Sequence, residues 1–292
     1  MLTEKEIFQK ILKIELYTRF LADQLFSGKY TSSFKGRGVE FSEVRPYVAG
    51  DDIRSIDWNI TARMNYPYIK EFVEERQLSI LLLIDLSASM YFGTGEKLKR
   101  ELISEVASLL SWTALRNNDK VGLILFTDRI EKYIPPRKGR FHVLRIIREI
   151  LYFNPVGRHS DISCAMDFAS RIFRKKSIMF AFSDFFGGVP EKFIKILSKK
   201  HDFIGVRILD AAEEKLPSCG ICEIKDTETG KTSFVNFSSP AVRKKYDNFF
   251  ASESEAIKKI FSSAGCDLLF LRTDKEYIPA LLNLFRSRAR RR

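Results

Sequence analysis

The chain has 292 residues, enough to bury a full hydrophobic core, and is 45% apolar and 29% charged with only 15 Gly and 9 Pro. That composition excludes disordered, collagen-like and low-complexity classes. Lys and Arg number 49 against 37 Asp and Glu, giving a net charge of +12 that favours anionic surfaces or acidic partners without naming one.

In chain order, Glu4 to Phe26 carry Ile7, Ile11, Ile14, Phe20 and Leu21 near one stripe, which predicts an amphipathic helix. The polar segment 27–37, with its two glycines, reads as a linker. Residues 36–77 mix short extended stretches with turns at Gly50-Asp51-Asp52 and Asn65-Tyr66-Pro67, and Tyr68 to Glu75 alternates as a strand does. Tyr47, Trp58 and Phe72 stand there among Arg45, Arg54, Arg63, Asp51, Asp52 and Asp57. A small lobe is expected, with Asp51 and Asp52 in a charge network with Arg54 and Arg63.

From Leu78 the pattern changes to buried strands alternating with helices. Leu78–Ile84, Lys120–Phe126, Ser177–Phe182, Phe203–Leu209 and Leu268–Leu271 read as strands. Leu98–Leu115, Phe141–Leu151, Ile162–Phe173, Pro190–Lys199, Pro240–Ala264 and Tyr277–Phe285 read as helices, and Ile130–Ile134 as an edge strand. A hairpin insertion is expected at about 213–236, and the arginine-rich tail 286–292 is expected to fray. The order of elements predicts an α/β fold with a doubly wound, mostly parallel sheet. The domains read as 1–35 (helix and linker), 36–77 (small lobe), 78–285 (sheet domain) and 286–292 (basic tail).

The strongest apolar run, Ile80–Ile84, is far shorter than the roughly 20 residues a bilayer span needs. With no signal-peptide pattern, the chain reads as cytoplasmic, or as peripheral to the inner membrane. Cys164, Cys219, Cys222 and Cys266 are too scattered for a disulfide scaffold. Cys219 and Cys222 lack the second cysteine pair or nearby histidine that zinc needs, and are read as a turn.

Three loops stand out. Asp85-Leu86-Ser87-Ala88-Ser89 follows the most apolar strand, Ser160 and Asp161 precede a helix, and Asp184 ends another central strand. Loops at the carboxyl ends of such strands line the ligand crevice of a doubly wound sheet. Asp85, Ser87, Ser89, Ser160 and Asp184 then offer hard oxygen donors, suited to Mg2+ or Mn2+ rather than zinc. Taken alone, the first loop is equally compatible with serines that cap the following turn. Asp161 reads as a helix cap and His159 as a loop residue. Phe185 and Phe186, directly after Asp184, are equally compatible with an apolar rim for a partner and with burial under the next helix.

With these residues in view, the chain resembles a von Willebrand factor A domain, whose metal-ion-dependent adhesion site joins a D-x-S-x-S loop, a threonine and an aspartate. By that resemblance Ser87, Ser89 and Ser160 would bind the ion directly, with Ser160 where threonine is usual, and Asp85 and Asp184 would act largely through waters. His159, Asp161, Phe185 and Phe186 would form the rim met by a partner. The segment with Asp51, Asp52, Arg54, Asp57, Trp58 and Arg63, followed by Lys70, Phe72, Glu75 and Arg76, is similar to the signature of a bacterial domain-of-unknown-function family, number fifty-eight. The double resemblance implies a non-enzymatic, metal-dependent protein-binding adaptor partnering a MoxR-type AAA+ ATPase in the assembly or maturation of client proteins, which donate a carboxylate to the metal. Two alternatives are nucleic-acid binding through the basic surface and metal-dependent hydrolysis. The first lacks a recognition module and the second a positioned base.

Overall fold

The computed structural model describes residues 16–22, 41–72, 78–226, 228 and 230–291. The expected linker 27–37 lies outside them, as do most of the expected first helix, Glu75, Arg76 and Arg292; residues 16–22 are helical. Two compact units emerge, one of residues 34–77 and one of residues 1–33 with 78–292.

In the smaller unit, β1 (Phe41–Pro46) pairs antiparallel with β2 (Tyr68–Phe72). Between them lies a helix that the sequence reading missed, α1 (Trp58–Met64). Asp57 starts it by accepting from the backbone N–H groups of Asn59 and Ile60, at 2.9 and 3.3 Å. Asn65 stops it in the left-handed conformation, at φ 52°. The charge network also differs from expectation. Asp51 is held by the two terminal guanidinium nitrogens of Arg45, each at 2.7 Å, not by Arg54 or Arg63. Asp52 caps a short 3-10 turn by accepting from the Arg54 backbone N–H. Trp58 is exposed.

The larger unit is built on a six-stranded sheet. Its members are β3 (Ser79–Asp85), β4 (Lys120–Phe126), β5 (Ile130–Arg137), β6 (Ile178–Ser183), β7 (Asp202–Leu209) and β10 (Asp267–Arg272), in the spatial order β10-β7-β6-β3-β4-β5. All neighbours are parallel except β4 and β5, so the sheet is mostly parallel with an antiparallel edge. β8 (Ile221–Lys225) and β9 (Thr232–Asn236) form a separate hairpin at the expected insertion. Cys219 precedes it in a loop, whereas Cys222, expected in a turn with Cys219, lies in β8 opposite Val235; their sulfurs are 3.3 Å apart.

Burial on both faces explains the unbroken apolar runs, because β3, β4 and β6 are covered by helices above and below. On one face Leu81, Leu83, Met179 and Phe203 meet α4 (Ile162–Ile172), α5 (Glu191–Lys200) and α7 (Pro240–Ser263). Phe261 anchors this layer, stacking on Phe203 at 6.1 Å and meeting Phe185 edge-on at 5.6 Å. Gly205 makes room for it, since a β-carbon there would lie 2.4 Å from the Phe261 ring. On the other face lie α2 (Lys99–Arg116) and α3 (Arg140–Tyr152). The α2 hydroxyls of Ser108, Ser111 and Thr113 are buried, and each donates to the carbonyl four residues earlier.

The arginine tail is helical through Arg291 rather than frayed. The last helix, α8 (Ile278–Arg291), runs on through it, because Arg288 pairs with Asp202 and Asp267 at the starts of β7 and β10. Among the described residues no helix is long and apolar enough to cross a membrane.

Candidate functional site

The chain goes from β3 to β4 on one side, then returns to β6 on the other side of β3. That reversal leaves a crevice above the carboxyl ends of β3 and β6, where Asp85 and Asp184 sit. The structure brings the five oxygen-bearing residues together. Ser160 Oγ donates to Asp85 Oδ2 at 2.5 Å, Ser89 Oγ donates to Asp184 Oδ2 at 2.7 Å, and the Ser87 and Ser89 hydroxyls are 3.2 Å apart. Ser87 precedes a 3-10 turn (Ala88–Tyr91) yet makes no side-chain capping bond to it. Its hydroxyl is directed into the cluster instead. The loops are tied by backbone as well, with Ala88 N–H donating to the Arg158 carbonyl at 2.9 Å.

The two carboxylates have different surroundings. Asp85 is fully buried and is held by the Ser160 and Ser183 hydroxyls and the Ser87 N–H, with no cationic partner among the described residues. Burial, and then the like charge of Asp184, push its carboxyl up to about 6. Asp184 faces a cation: Lys99 Nζ lies 3.0 Å from its Oδ2 and 2.6 Å from Glu213 Oε1. Behind it, the buried Arg207 donates to the Asp184 carbonyl at 2.9 Å and to Ser254 at 2.8 Å, and pairs with Glu253 at 3.2 Å. The Phe186 and Phe250 rings lie 5.2 and 5.3 Å from the Arg207 guanidinium carbon.

Sequence reading missed Lys99, Ser183, Arg207 and Glu213. For two of them a signal was present. Lys99 and Arg100 open α2, where the helix dipole disfavours cations, and Arg207 interrupts an otherwise apolar central strand. Nothing local marks Ser183 or Glu213.

The expected rim divides. His159 is exposed and reaches Glu228 of the hairpin loop at 3.3 Å. Asp161 caps α4 by accepting from the Ser163 N–H at 2.9 Å. Phe186 is half-buried, whereas Phe185 is 2% exposed and packs on Phe261, so it belongs to the core. The left-handed backbone at Phe185 (φ 56°) turns its ring under the sheet. Beside the cluster a cleft of about 320 Å³ runs between Ser160, Asp161, Phe186 and Gly187.

The glycine-containing loop before α2 is also fixed here. Asp210 accepts from the Thr94 N–H and hydroxyl and from Thr273, and caps α6 (Ala211–Glu214). Burial alone would raise its pKa; these bonds outweigh that and hold it at about 2. A lowered folded-state pKa makes this stabilisation present above the unfolded value near 4 and lost as pH falls toward 2. It amounts to about 2 kcal/mol. Urea unfolding at pH 7, 4 and 2.5 should show that loss in the wild type and a shallower one in Asp210→Asn. Equal losses would refute the assignment.

Among the described residues no three His, Cys, Asp or Glu side chains gather into a metal-holding group. The loop cluster instead combines two carboxylates with three hydroxyls. Its donors fit a hard divalent cation: all are oxygens, hydrogen-bonded as Ser160 to Asp85, Ser87 to Ser89 and Ser89 to Asp184, and Asp85 is a buried anion with no cationic partner among the described residues.

A family model described as "Protein of unknown function DUF58" matches residues 43–256. An uncharacterized protein of Mycobacterium tuberculosis is 27% identical over 280 residues, 95% of this chain and 88% of that protein. An aerotolerance-related membrane protein from Bacteroides fragilis has a similar structure, with a TM-score of 0.50 at 15% identity over 74% of this chain and 100% of that one. The conserved hypothetical protein BatB from Bacteroides thetaiotaomicron aligns with a TM-score of 0.47 at 14% identity, over 73% and 99%. The chain shares with the Bacteroides fragilis structure an α/β architecture, here with a mostly parallel central sheet.

Proposed function

The chain belongs to the DUF58 family, and from that premise we propose that it is a protein-binding adaptor whose loop cluster takes Mg2+ or Mn2+. Ser87, Ser89 and Ser160 would hold the ion, with Asp85 and Asp184 supporting it largely through water. A cation held mainly by neutral hydroxyls keeps most of its charge and favours a carboxylate supplied by a binding partner. The observation that carries the reading is the meeting of three loops around Asp85, a buried carboxylate with hydroxyl neighbours and no cation among the described residues. Binding rather than turnover is favoured because Asp161, the carboxylate nearest a general-base role, is engaged in capping α4.

By family resemblance the partner is a MoxR-type AAA+ ATPase. The test is capture of that purified ATPase by wild type and by Asp85→Ala, each with Mg2+ and with chelator. Capture by the wild type with Mg2+ alone supports the reading. Capture that ignores both the chelator and the substitution sinks it.

A further inference from the structure

We propose that Lys99 is a resident counter-cation of the loop cluster, holding Asp184 in place without an ion and lowering the affinity of the site for divalent cations. This rests on the metal-binding reading above. Lys99 is fully buried, and its ammonium bridges Asp184 Oδ2 and Glu213 Oε1 at 3.0 and 2.6 Å. The same Asp184 oxygen accepts the Ser89 hydroxyl at 2.7 Å. One carboxylate oxygen therefore already carries an ammonium and a proposed ion ligand.

A buried ammonium needs countercharge close by, and Asp184 and Glu213 at 3.0 and 2.6 Å supply it. The start of α2 gives no electrostatic reason for a cation, since the dipole there opposes one. The carboxylates therefore fix its place. A divalent ion that takes the Ser89 hydroxyl has this ammonium as a near neighbour, and like charges repel strongly where water is excluded. Among the described residues Asp85 has no such neighbour, so the attraction for the ion comes chiefly from Asp85 and the hydroxyls, with the charge of Asp184 partly offset by an ammonium it shares with Glu213. The third loop is thus preassembled, and occupancy follows the free concentration of the ion.

Titration of Mn2+, followed by calorimetry and by the electron-spin signal of the free ion, tests this on the full chain. Wild type, Lys99→Met and Lys99→Met/Glu213→Gln are compared, with Asp85→Ala as the site control and thermal scans to establish folding. The double variant removes a carboxylate with the ammonium, so it serves if Lys99→Met fails to fold. The expected result is tighter binding, by on the order of tenfold in Lys99→Met and several-fold in the double variant, abolished by Asp85→Ala. Wild-type binding that is unchanged or weaker in the folded variants overturns the role of Lys99 and leaves the metal reading standing. No binding by any folded chain overturns the metal reading and this inference with it.

Discussion

Replacing Arg207 by methionine should destabilise the chain by about 2–4 kcal/mol, because it leaves the partly buried Glu253 carboxylate without its cation and the Asp184 carbonyl without its donor. Arg207 is fully buried, yet three groups depend on it: the Asp184 carbonyl, Ser254 and Glu253. Methionine keeps much of the apolar contact with Phe186 and Phe250 and removes only the charge and its donors. Urea unfolding of Arg207→Met, Glu253→Gln and the pair provides the check. The double variant should recover part of the loss, since it no longer leaves a partly buried charge without its partner. Additive losses would show that Arg207 and Glu253 are not coupled. Because Arg207 also fixes the backbone at Asp184, the loss should extend to the site.

Asp85→Asn should act in the opposite direction on stability. In chelator at neutral pH the variant is expected to be more stable than wild type by about 1–3 kcal/mol, while binding of Mn2+ is lost. The carboxylate is buried and pushed up to about 6, first by burial and then by Asp184, so the folded chain pays to keep it charged. Asparagine keeps an oxygen for the Ser160 and Ser183 hydroxyls without the charge, and gives up the Ser87 N–H bond to Oδ1, which holds the gain to this range. Urea unfolding in chelator beside a Mn2+ titration measures both effects. A variant clearly less stable than wild type would show that the hydrogen bonds outweigh the cost of burying the charge. A gain in stability with loss of ion binding would mark Asp85 as a residue kept for function at the expense of the fold.

The large strands were legible because burial on both faces leaves few polar residues, and Leu81 to Ile84 or Phe180 to Phe182 admit little else. The smaller unit was harder to read. Its helix depends on one cap, Asp57, and on the left-handed Asn65, signals as short as the turns they resemble. Tail fraying was the natural expectation for five arginines in seven residues. Its helix is held instead by Asp202 and Asp267, which lie far away in sequence.

The sequence by itself determined the α/β alternation, the hairpin insertion and the five oxygen-bearing residues, since each is a matter of periodicity or of short spacing at a strand end. Only the tertiary structure decided which cations meet which carboxylates: Lys99 with Asp184 and Glu213, Arg207 with Glu253, Arg45 with Asp51. It also decided that Phe185 belongs to the core rather than to a rim. The reason is physical. Apolar patterning reflects the water each local segment must avoid, whereas a charged side chain on a long flexible stem selects its partner by proximity in the folded state, and its neighbours in sequence carry no record of that choice.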